Sequence, residues 1–183
     1  NMTFPFYRTA ITIATLVCSV GATQAQQVRL MTGPQGGAWY PLGGAIANIA
    51  DKAGVKVQVL PGAGIANVKA VDGGKADFGF GNSISTVDGV AGRAPFEKPT
   101  KNVCNVASLY PQYYQVVANA DAKINSLNDL KGKSLAVQPK GNTAEFISMQ
   151  SLEVYGLKYA DMSRVSYVSY TDAVSLMKDN NAQ

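Results

Sequence analysis

The sequence predicts an α/β protein whose mostly parallel sheets are divided between two lobes. Three observations carry that reading. Short apolar strands alternate with amphipathic helices, the pattern of repeated β-turn-α units. Glycine-bearing turns separate strand from helix at several of the junctions. The alternation halts near residues 110–125 and then restarts, with three units before that seam and two after it.

The elements follow in order. Residues 28–32 are a short apolar strand, and Gly33-Pro34-Gln35-Gly36-Gly37 leads into a helix over 41–52. Pro41 falls near its first turn, where the missing N–H is not needed. Residues 55–60 alternate Val, Lys, Val, Gln, Val and predict a strand; Pro61-Gly62-Ala63-Gly64 breaks it before a helix over 65–72. Gly73-Gly74 ends that helix, as glycine after a last turn does. A strand over 76–81 and a helix over 83–91 complete the third unit. Residues 92–102 are polar and proline-broken, hence a loop. Residues 103–109 and 113–118 are both strand-like, separated by Tyr110-Pro111, and are expected to join the lobes. Ser126 caps a helical turn over 127–130. The second lobe then offers a strand over 134–137, a turn over 139–142, and a helix over 143–155. A strand over 165–168 and a helix over 170–178 follow, with Asp172 favourably placed in the first turn of the latter.

Residues 1–25 read as an export signal. Arg8 supplies the positive start, residues 9–22 are mostly apolar, and Thr23-Gln24-Ala25 puts small residues at a cleavage site. The apolar run is shorter than the ~20 residues a membrane-spanning helix needs. Val17 before Cys18 is not the small residue a lipoprotein signal wants, so simple cleavage after Ala25 is expected. The chain is therefore expected to be periplasmic, with a first lobe over 26–115 and a second over 116–183, the latter incomplete.

Composition excludes more than it suggests. The chain has no histidine, which rules out Ser-His-Asp and Cys-His catalysis and most zinc sites. Beyond residue 25 the only cysteine is Cys104, so no internal disulfide can form there; its neighbours Val103 and Val106 predict a small buried thiol in a strand. The net charge of +4 is spread thinly, with no lysine run and none of the clustered basic footprint that nucleic-acid binding leaves. Asp77 and Asp88 have no partner at catalytic spacing and read as surface or capping groups. Neither a catalytic residue, nor a metal site, nor a cofactor is expected.

Candidate binding residues sit in the strand-to-helix turns. A helix N-terminus presents unpaired N–H groups and a partial positive charge, and glycine lets a ligand approach that backbone closely. In an open parallel sheet these turns lie at the carboxyl ends of the strands, where ligands bind. Gly36 and Gly37, Gly64, and Gly141-Asn142-Thr143 share the construction, while Asn82 and Ser83 offer an amide and a hydroxyl at the third turn. Together they predict a polar cradle for a small anion such as a carboxylate. Trp39-Tyr40, Tyr110, Tyr113, Tyr114 and Tyr170 suit the walls of a cleft. None of the glycine turns matches a phosphate loop or a complete dinucleotide fingerprint.

The order TGPQGGAWYPLGGAIANI, PGAGIANVKAV, GKADFGFGNS, ASLYPQYYQVVANAD and INSLNDLKGKSLAVQPKGNTAEF resembles the TAXI family, from about Val28 onward. These are extracytoplasmic solute receptors of tripartite ATP-independent periplasmic (TRAP) transporters. The resemblance implies a type II periplasmic-binding-protein fold: two α/β lobes joined by hinge strands and closing on the solute. It implies a small carboxylate-bearing solute such as glutamate or 2-oxoglutarate, handed to membrane subunits driven by an ion gradient. It places Gly36, Gly37 and Tyr40 on the first ligand loop, Asn67 with the loop after Gly64, and Asn82 and Ser83 on the third. Tyr110 and Tyr114 fall near the hinge, and Gly141, Asn142 and Thr143 on the facing lobe. The family more often has an acidic residue near the place of Ser85, and glutamine in many members where Asn82 stands, which implies a different solute preference. The competing reading is a ligand-binding sensor domain of a secreted or surface protein; an enzyme on this fold is disfavoured by the missing histidine.

Overall fold

The computed structural model describes residues 27–183; the expected export signal lies outside the described residues. Strands β1 (Val28–Met31), β2 (Val57–Leu60) and β3 (Phe78–Gly79) form a parallel sheet in the order β2-β1-β3. Val28 to Met31 pair with Val57 to Leu60, and Leu30 and Met31 with Phe78 and Gly79. Helices α1 (Trp39–Lys52), α2 (Gly64–Asp72) and α3 (Ser83–Ala91) follow the three strands in turn. A second parallel pair, β4 (Ser134–Val137) and β5 (Arg164–Tyr167), is followed likewise by α4 (Thr143–Val154) and α5 (Tyr170–Lys178). Because the strands within each sheet are parallel, its strand-to-helix turns gather on one edge.

Close packing explains one glycine in the first sheet. Gly43, buried on α1, has no side chain, and a Cβ there would overlap the Thr32 methyl and stand 3.2 Å from Val59. Thr32, fully buried, donates its hydroxyl to the Leu60 carbonyl at 2.8 Å. Two apolar clusters hold the rest. Ile65, Val68 and Phe96 pack with Val103 and with Phe146 of α4, so the second half of the chain shares the first core. Leu130, Leu152, Leu157 and Met162 form the other, with Leu135 and Tyr159 against them. Burying each such side chain contributes roughly 1.5–3 kcal/mol.

A buried amide organises the carboxyl edge of the first sheet. Asn67 of α2 is 1% exposed. Its Nδ2 donates to the Thr32 carbonyl at 2.7 Å and the Phe80 carbonyl at 2.8 Å, and its Oδ1 accepts from the Ala63 N–H at 3.1 Å. It thus bridges the ends of β1 and β3 where their ladder has stopped, and fixes the turn that opens α2.

The alternation of strand, turn and helix is as the sequence predicts, with shifted ends. The third strand is confined to Phe78–Gly79 within the expected 76–81, and α1 begins at Trp39 and not at Pro41. The hinge strands expected over 103–109 and 113–118 are not present. Among the described residues the backbone of 103–118 makes no internal hydrogen bond, and Val106, Leu109, Tyr113 and Val117 are exposed. Apolar, β-branched sequence gives strand propensity, but a strand needs a neighbour's ladder. Cys104 is correspondingly exposed, not buried as expected. An open, apolar hollow of about 350 Å³ lies between it, Val103 and the Val87 and Val90 face of α3.

Tyr159 supports the opening turn of α4 from below, its hydroxyl donating to the Glu145 carbonyl at 3.1 Å and its ring edge-on to Tyr167. Burial, reinforced by Glu145, Tyr167 and Tyr114, raises its pKa well above the usual phenol value.

Two outcomes follow from these contacts. Replacing Asn67 with Ala strands two buried carbonyls and one N–H; at about 1–3 kcal/mol per orphaned group, urea unfolding of Asn67→Ala should show a loss of at least ~2 kcal/mol. The folded protein keeps the Tyr159 proton where the unfolded chain would lose it. That contribution is complete below about pH 10 and is lost as pH rises further. Melting temperature should therefore fall more steeply above about pH 10 in the wild type than in Tyr159→Phe; parallel pH profiles would show that the phenol plays no such part.

Candidate functional site

The turns of the two sheets meet. The Ala66 N–H, in the first turn of α2, donates to the Gly141 carbonyl at 3.2 Å. Ser85 of α3 and Thr143 of α4, 2% and 3% exposed, share a hydroxyl–hydroxyl hydrogen bond of 2.6 Å. Gly64 lies against the same group: a Cβ there would overlap the Thr143 hydroxyl and stand 2.6 Å from Asn82 Oδ1. The β1–α1 turn meets α5 in the same manner. A Cβ on Gly36 would stand 2.5 Å from the Thr171 hydroxyl, and one on Gly37 3.3 Å from the Tyr170 ring. Gly36 (φ 82°) and Gly141 (φ 90°) also hold left-handed backbone that other residues rarely adopt.

Helix ends supply the electrostatics. The first turns of α1, α2 and α3 contain no acidic residue, so their partial positive charges are uncompensated from within. Only α4 and α5 carry one, Glu145 and Asp172. Among the described residues the ion pairs are Arg29 with Asp77 just before β3, Lys56 with Asp51, and Arg93 with Asp88 at the C-terminal end of α3. Around Gly64 the side chains that meet are uncharged, the hydroxyls of Ser85 and Thr143 and the amide of Asn82, and with the backbone N–H groups of α2 and α3 they form a set suited to a small anion. Among the described residues there is no group of three or more His, Cys, Asp or Glu able to hold a metal ion.

Of the residues singled out in the sequence, Gly36, Gly37, Gly64, Asn82, Gly141 and Thr143 are brought to this junction. Asn82 also hydrogen-bonds the Gln112 side chain. Tyr114 reaches across to Ser148 of α4 at 3.0 Å. Tyr110 lies close enough to Tyr170 to join burial in raising the Tyr170 pKa. Ser83 opens α3 with its side chain exposed, and Tyr40 is half-buried in the first turn of α1. Two residues have other work. Asn67 spends both its amide hydrogens on backbone carbonyls, as described above, and Asn142 caps α4, its Oδ1 accepting from the Ala144 N–H at 2.9 Å.

Sequence reasoning reached Ser85 only as part of the third turn, with no role of its own, and passed over Thr171 and Gln138. Ser85 and Thr171 sit in the first turns of helices that follow strands, the signal used for the other turns, but neither has a glycine beside it. Gln138 follows β4 directly; it is buried, and its Oε1 has no hydrogen-bond donor.

A model of the NMT1-like family matches residues 30–183. Among solved structures, the alkanesulfonate-binding protein SsuA from Xanthomonas axonopodis pv. citri bound to MOPS is 19% identical, with a TM-score of 0.53 over 86% of this chain and 52% of that one. The periplasmic aliphatic sulphonate binding protein SsuA from Escherichia coli is 19% identical over the same shares, with a TM-score of 0.48. The chain therefore spans about half the length of the solved chains it matches, and the first of these likenesses shows a shared periplasmic-binding-protein-like α/β fold with parallel sheets. By the match over residues 30–183, the chain belongs to the NMT1-like family.

Proposed function

We propose that this chain forms part of an extracytoplasmic solute receptor, which captures a small organic anion and presents it to a membrane transporter without altering it. The observation that carries this reading is the meeting of the α2, α3 and α4 N-terminal turns around Gly64, Asn82, Ser85 and Thr143, with no carboxylate in the first turns of α2 and α3. Backbone N–H groups and helix dipoles favour a negative head group, and hydroxyls and amides fix its orientation.

The first lobe is taken as residues 26–115 and the second as 116–183. The solute would touch both and favour the closed arrangement, a shift no larger than its difference in affinity for the two states. The motif resemblance to TAXI receptors favours a carboxylate-bearing solute of the glutamate or 2-oxoglutarate kind, TRAP membrane subunits as partners, and a periplasmic location after loss of residues 1–25. The fold shared with an alkanesulfonate-binding protein favours a second reading, in which the head group is a sulfonate. Both head groups are compact oxyanions, and both suit the same turns.

Isothermal titration against glutamate, 2-oxoglutarate, taurine and methanesulfonate separates the two. Binding of the carboxylates alone is the expected result, and Thr143→Val should weaken it about tenfold or more by removing one hydrogen bond to a charged group. Binding of the sulfonates alone would replace the first reading with the second. Silence across all four would count against an anion receptor of either kind.

A further inference from the structure

We infer that Ser85 and Thr143 form a catch over Gly64, holding the turns of the two sheets together before any solute arrives. The two hydroxyls belong to distant parts of the chain, yet they lie 2.6 Å apart and are almost completely buried. A buried hydroxyl without a partner is costly, so each residue depends on the other. Gly64 makes the approach possible, because the Thr143 hydroxyl fills the space that any side chain at residue 64 would need. Asn82 Oδ1 closes the same space from a third side. The backbone adds one bond across the junction, from the Ala66 N–H to the Gly141 carbonyl. The second contact, Gly36 and Gly37 against Thr171 and Tyr170, has the same form: a glycine turn of the first sheet receives a hydroxyl or ring from the second.

This arrangement ties the turns of the two sheets together through protein groups alone. The Thr143 hydroxyl is engaged by Ser85, so a solute that bonds it must draw it from that pair, and the catch opens as the solute is bound. Ser85 and Gly64 act as positioning residues that set how often this happens.

The Ala66 amide reports the catch directly. It lies in the first turn of α2, where it has no partner within the helix, and its acceptor is Gly141 across the junction. The Thr32 amide, bonded to the Leu60 carbonyl inside the first sheet, serves as the internal control. Hydrogen exchange of the ligand-free protein, followed by NMR, should show Ala66 protected. Ser85→Ala, which removes one hydroxyl, should speed Ala66 exchange about tenfold and leave Thr32 unchanged. Gly64→Ala, which wedges a methyl into the catch, should do the same or more. Equal Ala66 rates in wild type and Ser85→Ala, with Thr32 protected in both, would overturn the inference. An Ala66 amide already unprotected in the wild type would overturn it as well. No solute is added, so failure here is separate from failure of the receptor reading.

Discussion

The side-chain amide of Asn67 is the constraint on which the working edge of the first sheet depends. A parallel sheet sends every strand out on the same side, and there each chain must leave the ladder and turn into its helix. At that point backbone groups lose their partners, and orphaned groups inside a protein are costly. Asn67 takes two of the carbonyls, Thr32 at the end of β1 and Phe80 just past β3, and holds Ala63 at the start of α2 with its remaining oxygen. One buried side chain thus fixes the relative positions of three turns. The glycines beside them can be conformationally free without the edge becoming loose, because its geometry is set from behind.

With the edge fixed, the junction is shaped by what its glycines lack. Gly64, Gly36 and Gly37 admit groups from the second sheet into volumes that a methyl would fill. The Arg29–Asp77 pair ties β1 to the approach of β3 at the other end of these strands, in a solvent-exposed setting where an ion pair adds little stability. Helix ends with no carboxylate in their first turns can bind an anion through oriented dipoles, while Glu145 and Asp172 already complement the dipoles of α4 and α5. The three helices that open at the junction without an acidic residue in their first turns meet that condition.

The strand-turn-helix units were legible in the sequence because their signals are local: apolar runs, glycine and proline breaks, and a Ser–Asp capping pattern such as Ser126 with Asp129. The roles of the polar residues were less so. Asn67, Asn82 and Asn142 all stand in or near such turns, yet one braces the sheet, one faces the junction and one caps a helix. A short amide can serve any of these purposes, and only distant partners decide which. The partner of Ser85 and the role of Thr171 were missed for the same reason, since the groups they meet are far away in the chain. Residues 103–118 show the opposite error. Their local pattern is that of strands, but propensity is expressed only when a ladder is at hand.

That extended segment nevertheless contributes to the junction. Two of its side chains reach the turns and their helices, Gln112 bonded to Asn82 and Tyr114 to Ser148. In the proposed receptor Tyr114, held to α4 through Ser148, stands near helix ends that would recognise charge but not the skeleton that carries it. Backbone dipoles read a head group in much the same way whatever is attached to it. A tyrosine ring offers an apolar face and a polar tip, and discriminates by shape. In the proposed receptor the two tasks fall to different parts of the chain: the glycine turns hold the anionic end, and the Tyr110–Tyr114 stretch with Tyr170 selects what is joined to it.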